Sequence, residues 1–376
     1  MTRRFRTALL ATACGALLAI VPATVSSGTA SAAAKPTTRR ISRSGSASFT
    51  GTTAGVIGAF ETPGLPEEDS PGVTDRSHSG GGGAPVGPGT QPHPVTTSTP
   101  GLVTSFDALN HFQNRFGSTA GNNQFSLEPP DQGLCVGSDG NGNTRILEVL
   151  NDVLRVYDTS GNAVTVPQAL NGFLGYAPAI DRTAVTFGPF VTDPSCLFDA
   201  QTGHWFLDTL TLDTFPKPGS DGLQHFTGTN HLDLAVSDTS DPTGTWTVYR
   251  VPVQDDGTQG TPDHHCSANT DTATPLPTNP NACLGDYPHI GSDANGIYLT
   301  TNEYSFFGVE FHGAQVYALS KTQLAARPAT VNVTQFDSHG LDTFGFGLNG
   351  FTLWPSTTPG GGGDATSGGT EYFMSS

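Results

Sequence analysis

Short runs of apolar and β-branched residues alternate along this chain with clusters of Gly, Pro, Asn and Asp. From residue 101 onward, such a cluster recurs roughly every ten residues, a spacing typical of short strands joined by tight turns. Examples of the runs are TRILEVLN at 144–151, HWFLDTLTL at 204–212 and NGIYLTTNEY at 295–304. The pattern predicts an all-β domain, with SKTQLAAR at 320–327 as the one short helical signal.

Three stretches repeat the same order of features. Each places Asp beside Pro, then a strand, an Asp/Asn/Gly turn and a second apolar strand: EPPDQGLCVGSDGNGNTRILEVL, TDPSCLFDAQTGHWFLDTL and GDYPHIGSDANGIYLTTN. Repeated four-stranded units predict a β-propeller, with about three and a half blades visible. Because propellers close with at least about four blades, we expect the chain to be C-terminally truncated, with EYFMSS as a strand that lacks partners.

The chain divides into three predicted parts. Residues 1–32 have the basic start, apolar stretch and Ala-Ser-Ala cleavage site of a secretory signal peptide, which leaves Sec and twin-arginine export open. Residues 33–100 are rich in Ser, Thr, Gly and Pro and are expected to be a disordered spacer. Residues 101–376 form the predicted β-propeller domain. The sequence thus predicts a secreted, extracellular protein.

Charge excludes some partners. Residues 101–376 contain 28 Asp and Glu against 8 Lys and Arg. Such an acidic domain is not expected to bind nucleic acid, whose phosphates require basic residues. No segment after the signal peptide is apolar enough for membrane insertion. The oligomeric state is left open.

Four cysteines remain once the signal peptide is removed: Cys135, Cys196, Cys266 and Cys283. An even number in an exported chain predicts disulfides, with three possible connectivities. Because Cys266–Cys283 would close a single loop rich in Pro, Thr and Asn, we favour that bond, with Cys135–Cys196 as the second. The spacing does not fit a zinc site.

Three motifs carry a family resemblance over roughly 125–376. DPxxxxDxxTGxWFL begins at 193, AVSxTSDPTGxW at 235 and DYPxIGxDxxGIYLTxN at 286. They resemble motifs of uncharacterised secreted bacterial β-propeller proteins, and are more distantly similar to five-bladed glycoside hydrolases of family 43 type and to sialidase-like propellers. The stretch Ser240 to Trp246 approaches the sialidase Asp-box, although Asp241 directly follows Ser240 and Pro242 intervenes.

The resemblance to family 43 implies carboxylates in a central funnel. By position Asp131 would be the general base, Asp193 the Asp that tunes its pKa, and Glu303 or Asp286 the general acid. Glycoside hydrolysis needs two such acids flanking the sugar bond. The structural alternative is that an Asp beside Pro at the start of a strand caps a turn, and its repetition in three units favours that alternative. A sialidase would need an arginine cluster, which the scattered arginines do not form.

A second candidate site follows the strand at 295–304. Asn302, Tyr304, Phe306 and Phe307 have no counterpart in the other repeats, and exposed aromatic rings there would stack on a sugar. Core packing is the alternative for the rings. We therefore expect extracellular recognition of a glycan or surface protein, with glycoside hydrolysis and a purely structural role as the other two hypotheses.

No cofactor or transition metal is predicted, and a structural calcium ion is left open. DGNGN at 139–143 begins like a calcium loop, but Leu150 stands at the twelfth position where a Glu is required. A hairpin turn explains this stretch better. DHHC at 263–266 offers metal ligands, and we interpret it as a solvated loop beside a disulfide.

Overall fold

The computed structural model describes residues 35–49, 104–116, 124–125, 127, 131–270, 272–339, 350–357 and 370–375. Within these ranges the protein is all-β, as the spacing of apolar runs predicts. The described helices are short: α1 (His111–Phe116), α2 (Leu170–Phe173) and α3 (Lys321–Ala326), the last confirming the helical signal. The predicted signal peptide lies outside the described residues.

The described strands, in chain order, are β1 (Thr37–Ser48), β2 (Gln132–Ser138), β3 (Thr144–Leu150), β4 (Val153–Asp158), β5 (Gln168–Ala169), β6 (Ile180–Asp181), β7 (Thr186–Phe187), β8 (Phe190–Asp199), β9 (His204–Thr214), β10 (Phe226–Ser237), β11 (Thr245–Pro252), β12 (Cys283–Ser292), β13 (Gly296–Ser305), β14 (Phe311–Ser320), β15 (Thr330–Asp337), β16 (Leu353–Pro355) and β17 (Phe373–Ser375). They confirm the apolar runs named above as strands.

Three antiparallel meanders organise these strands. The first is a sheet of its own, in the order β2-β3-β4-β5. The second and third, β8-β9-β10-β11 and β12-β13-β14-β15, are halves of one nine-stranded sheet. Between the halves lies β1, which pairs antiparallel with both β15 and β11. The two halves of the nine-stranded sheet are therefore joined by β1, which is distant from both in sequence.

The position of β1 corrects the predicted spacer. Thr37–Ser48 falls within 33–100, yet it forms a twelve-residue strand. Ile41 and Ala47 face the core and are buried, and Arg39 donates hydrogen bonds to the Gln335 side chain and the Pro252 carbonyl. Composition was misleading because two neighbouring strands supply the backbone partners that this polar segment cannot supply for itself. The remainder of the predicted spacer, 50–100, lies outside the described residues.

The nine-stranded sheet curls until it is nearly closed, because its two edge strands β8 and β12 lie against each other. The edge strand of the first sheet, β2, also packs on β8. One apolar core lies between the second and third meanders and includes Phe206, Leu234 and Leu299. A second core, which includes Leu147, Trp205 and Trp246, lies between the first and second meanders. The starting strands of all three meanders thus meet in one region.

Both disulfides form with the favoured connectivity. Cys135–Cys196 joins β2 to β8, with 5.8 Å between the Cα atoms. Cys266–Cys283 fastens the loop after β11 to the start of β12, with 5.4 Å between the Cα atoms. The first bond therefore holds the first sheet against the large one, and the second pins a loop over the third meander.

The C-terminal strand has a partner, contrary to expectation. Phe373–Ser375 pairs antiparallel with Leu353–Pro355, so β16 and β17 form a small sheet. The segment that carries β16 is tied to β12 by a hydrogen bond from the Ser292 amide to the Ser356 carbonyl, 3.1 Å. The prediction that EYFMSS lacks partners is wrong, since its partner lies upstream, beyond residues 358–369, which are outside the described ranges.

Candidate functional site

Three of the four predicted catalytic carboxylates come together where the first strands of the meanders meet. Asp131 directly precedes β2, Asp193 lies within β8 and Asp286 lies within β12. The Asp193 and Asp131 side chains are within hydrogen-bonding reach of each other, and the charge of Asp286 acts on Asp193. All three are half-buried. We call them the aspartate triplet.

The backbone around two of these residues is unusual. The register of β8 against β9 shifts between Thr192 and Ser195, and that of β12 against β13 shifts between Asp286 and His289. At these bulges Asp193 has φ of 52° and Tyr287 has φ of 54°. Each of the two residues directly precedes a proline. Non-glycine residues rarely adopt such angles, and bulges re-aim side chains at binding and catalytic sites.

This geometry corrects the structural alternative from the sequence. Asp193 and Asp286 do not cap a turn at the start of a strand, because each lies inside its strand at a bulge. The Asp-Pro motif therefore marks a kink that directs carboxylates toward the meeting point of β2, β8 and β12.

Asn151 holds two members of the triplet in place. Its side-chain amide donates to Asp131 Oδ2 at 3.0 Å, and its oxygen accepts from the Asp193 backbone amide at 2.9 Å. Asn151 itself is fixed by the two-residue turn between β3 and β4, where Asp152 has φ of 72°. The sequence analysis missed Asn151, whose only signal was its place at the end of the apolar run 144–151.

The Asp193 carboxyl of the triplet has a strongly shifted pKa. Burial raises the pKa of the Asp193 carboxyl well above its ordinary value, and the charges of Asp286 and Asp131 raise it further. The Thr192 hydroxyl donates to Asp193 at 2.9 Å, and the Tyr287 amide lies 3.1 Å from an Asp286 oxygen. The surroundings of Asp193 therefore favour the protonated form of its carboxyl.

An aromatic group borders the triplet on the β12 side. The His289 and Trp354 rings are stacked with their centroids 3.6 Å apart, and the Tyr287 ring packs edge-on against His289 at 4.4 Å. Trp354 is 48% exposed. Trp354 lies in β16, which packs against β12 and β13. Trp354 thus gives the site an open apolar surface.

Glu303 lies apart from this group. In the β12–β13 ladder Asp286 is opposite Asn302, whereas Glu303 is opposite Gly285. Because neighbouring residues of a strand point to opposite faces, Glu303 and Asp286 project from opposite faces of the sheet. Glu303 is fully buried, and it contacts His264 rather than any of the triplet. The predicted combination of Asp131, Asp193 and Glu303 in one funnel is therefore wrong.

The four residues predicted to bind a ligand are mostly buried. They are Asn302, Tyr304, Phe306 and Phe307. Tyr304 is 1% exposed, Phe306 is part of the apolar core, and Phe307 packs against that core. Asn302 is also buried, and it exchanges two hydrogen bonds of 2.8 Å with Thr352. Core packing explains the rings, and Asn302 anchors the segment that carries Trp354.

The structure also shows the environments of the motifs DGNGN at 139–143 and DHHC at 263–266. Asp139 accepts hydrogen bonds from the Asn141 and Asn143 amides and contacts Arg145 at 2.9 Å, so DGNGN forms a hairpin turn, as expected. In DHHC the exposed fraction of the side chain is 85% for His265 but 17% for His264. The interpretation of this motif as a solvated loop is therefore wrong for His264.

No protein-family model matches this chain, and neither a curated protein nor a solved structure is significantly similar to it. Among the described residues, none of the helices is long and apolar enough to cross a membrane.

Proposed function

We propose that this protein is secreted and recognises an extracellular glycan at the surface formed by the aspartate triplet, Tyr287 and Trp354. The proposal rests chiefly on the exposed Trp354 ring, which packs edge-on at 6.4 Å against Tyr287, the residue that follows the half-buried Asp286. The disulfides are compatible with an oxidising, extracellular environment.

The chemistry of this surface suits a sugar. Carboxylate oxygens accept hydrogen bonds from hydroxyl groups, and the triplet offers several such oxygens. An exposed aromatic ring supplies a flat apolar face for the C–H face of a pyranose, much as aromatic rings do in other amphipathic interfaces. Because Asn302 and Asn151 fix the two sides of the surface, little conformational freedom is lost on binding.

A propeller-like arrangement is part of the same proposal. Three antiparallel meanders with their first strands side by side support it, and β1 acts as a link between two of them. In such an arrangement the aspartate triplet would lie near the central axis, where propellers bind their ligands.

A binding screen tests the proposal. Full-length protein is applied to an array of plant, fungal and bacterial glycans, together with Trp354→Ala and Asp131→Asn. We expect at least one glycan to be retained by the wild type and to lose tenfold or more in affinity with either variant. Phe336→Ala, which removes an exposed ring from β15, serves as the matched control and retains binding. Retention of a glycan by Trp354→Ala at wild-type affinity would refute the proposed surface.

Hydrolysis is the second candidate, and one observation favours it. The raised pKa of Asp193, caused by burial and by Asp286 and Asp131, is what a general acid requires beside a second carboxylate. Release of reducing sugar from any retained polysaccharide tests this activity. Loss of that release in Asp193→Asn, with binding preserved, would identify a hydrolase, and binding without release in the wild type would leave recognition alone.

A further inference from the structure

A second polar centre lies on the face of the third meander opposite to the aspartate triplet. It consists of Asp255 and His264, from the loop after β11, and Glu303 from β13. The loop folds back on itself, since the His264 amide donates to the Asp255 carbonyl at 2.9 Å. The Cys283 amide donates to the Gln254 carbonyl at 2.7 Å, which fixes the start of the loop to β12. The loop backbone thus places Asp255 and His264 side by side above Glu303.

The side-chain atoms of these three residues are spaced as ligands of one ion. His264 Nδ1 lies 2.9 Å from each Glu303 oxygen and 3.5 Å from Asp255 Oδ2. One nitrogen and two carboxylate oxygens from the three residues all lie within 4.8 Å of one another. Two ligands at about 2.0–2.2 Å from an ion, separated by about 90–109°, lie roughly 2.8–3.6 Å apart. The His264 distances fall in that range.

One oxygen of this centre lacks a partner. Asp255 is fully buried, and its Oδ1 has no hydrogen-bond donor among the described residues, although the Asp255 and Glu303 carboxyls are within hydrogen-bonding reach of each other. Burying a carboxylate oxygen without a partner is strongly destabilising in general. A cation between Asp255, His264 and Glu303 would remove that cost, because the ion would take the place of the missing donor.

The charges around the centre also call for a cation. Asp255 and Glu303 are both fully buried, and Asp337 Oδ2 lies 3.9 Å from His264 Nε2. The nearby guanidinium of Arg39 donates to Gln335 and to a carbonyl, and not to these carboxylates. Two buried carboxylates with a third close by are therefore in contact with a single imidazole, and the charge of Arg39 acts on Asp255 from farther away.

Side chains of β14 and β15 surround Asp255 and His264 on the side of the sheet. Gln335 donates to Asp255 Oδ2 at 2.5 Å, and Gln315 accepts from Gln335 at 3.0 Å. Gln315 in turn donates to Asp337 Oδ1 at 2.8 Å, so Asp337 is fixed beside the second ring nitrogen of His264. Such a carboxylate near the free nitrogen of a ligating histidine is a recurrent feature of metal sites.

The second disulfide fastens this arrangement. The sulfur atoms of Cys266 and Cys283 approach the Glu303 carboxylate within 4.8 Å. Because they are bonded to each other they are not thiolate ligands. Their role is to keep the loop that carries His264 closed over Glu303.

We propose that Asp255, His264 and Glu303 bind one divalent first-row transition metal ion, of the kind represented by Zn²⁺ or Mn²⁺. A single imidazole nitrogen with two carboxylates suits these ions better than Ca²⁺ or Mg²⁺, which prefer oxygen ligands alone. The site is separate from the aspartate triplet and does not depend on glycan binding. It ties the loop between the second and third meanders to the sheet.

The test uses disulfide-intact, full-length protein that has been dialysed against EDTA and then freed of chelator. Zn²⁺, Mn²⁺ and Ca²⁺ are titrated separately by calorimetry, and the bound metal is counted by mass spectrometry. His264→Ala and Glu303→Gln remove one ligand each, and circular dichroism verifies that each variant is folded. His265→Ala is the matched control, because His265 is the next residue, exposed, and 3.1 Å from an Asp263 oxygen.

We expect one Zn²⁺ or Mn²⁺ per chain, at least a tenfold loss of affinity in His264→Ala and Glu303→Gln, and no more than a twofold change in His265→Ala. Three results would overturn the proposal. They are the absence of Zn²⁺ and Mn²⁺ binding to the wild type, binding that survives both ligand substitutions, and binding that is lost equally in His265→Ala. The last would assign the ion to the exposed His265–Asp263 pair.

Discussion

His289 and Trp354 are stacked, with their ring centroids 3.6 Å apart and their planes inclined by 22°. The histidine is buried, and its Nε2 has no hydrogen-bond partner among the described residues. The tryptophan covers it from the solvent side and is itself half-exposed. The exposed ring of the proposed glycan surface therefore rests on an imidazole that must stay neutral.

This stacking predicts a pH dependence of stability. Burial lowers the pKa of His289 to about 4, whereas an unfolded histidine titrates near about 6.5. Between these values the unfolded chain binds a proton that the folded protein does not, so the free energy of unfolding falls as the pH falls from about 6.5 to about 4 and levels off below. Urea unfolding of wild type and His289→Phe should show the difference between them changing across this window, by up to about 3 kcal/mol. A difference that is constant with pH would contradict the assignment.

Asn151 links Asp131 to the Asp193 backbone, and removing the link should be costly. Asn151→Ala leaves the Asp193 amide and an Asp131 oxygen without their partner, at about 1–3 kcal/mol for each group. We expect the variant to lose about 2–4 kcal/mol in the free energy of unfolding, measured in urea. Asn141→Ala, in the exposed hairpin turn, is the control and should change it by less than about 0.5 kcal/mol. Equal losses of stability in the two variants would show that the link from Asn151 to Asp131 and Asp193 does not stabilise the fold.

The pattern of apolar runs was sufficient to predict the strands, because turn chemistry and alternation are local properties. HWFLDTLTL and NGIYLTTNEY became β9 and β13 almost residue for residue. The disulfide pairing was also predictable, since one loop between Cys266 and Cys283 is closed by its own ends. The repeated Asp beside Pro indicated three related residues, and these do meet.

The remainder depended on contacts between distant segments. Thr37–Ser48 has the composition of a spacer, and only its insertion between β15 and β11 makes it a strand. Glu303 and Asp286 are on adjacent strands, but the ladder register decides that they point to opposite faces. His264 and His265 are neighbours in sequence, and only the fold of the loop buries the first and exposes the second. None of these relations has a local signal.

Asp208 predicts a stabilising substitution. It lies in β9, it is fully buried, and neither carboxylate oxygen has a hydrogen-bond partner among the described residues. Burial raises its pKa well above the ordinary value, and the charge of Asp233 adds to the effect. Since the unfolded carboxyl is ionised above about pH 4, the folded protein loses stability as the pH rises above that value.

We therefore expect Asp208→Asn to be more stable than the wild type at pH 7 by more than about 1 kcal/mol, with the gain vanishing near pH 4. Thermal unfolding at pH 4, 5.5 and 7 measures it. The exposed Asp107, changed to Asn, should alter stability by less than about 0.5 kcal/mol at each pH. A loss of stability in Asp208→Asn at pH 7 would show that the buried carboxylate is stabilised by a partner outside the described residues.

Residue 43 tests whether β1 is integral to the fold. The Arg43 amide donates to the Ala329 carbonyl at 2.8 Å, while its side chain is exposed. Arg43→Pro removes the donor and leaves the carbonyl unpaired, which we expect to cost about 1–3 kcal/mol. Arg43→Ala keeps the backbone bond and should cost less than about 0.5 kcal/mol. If chemical denaturation finds the two variants equally stable, β1 does not contribute to the sheet in solution.

Tryptophan fluorescence reports directly on whether a glycan covers Trp354, as proposed. Trp205 and Trp246 are fully buried, so Trp354 alone among the three is open to a soluble quencher. Iodide quenching of tryptophan fluorescence is measured with and without a glycan that the array identifies. We expect saturating glycan to abolish most of the quenching, and Trp354→Ala to show little quenching in either state. Unchanged quenching of the wild type at saturating glycan would show that the glycan does not cover Trp354.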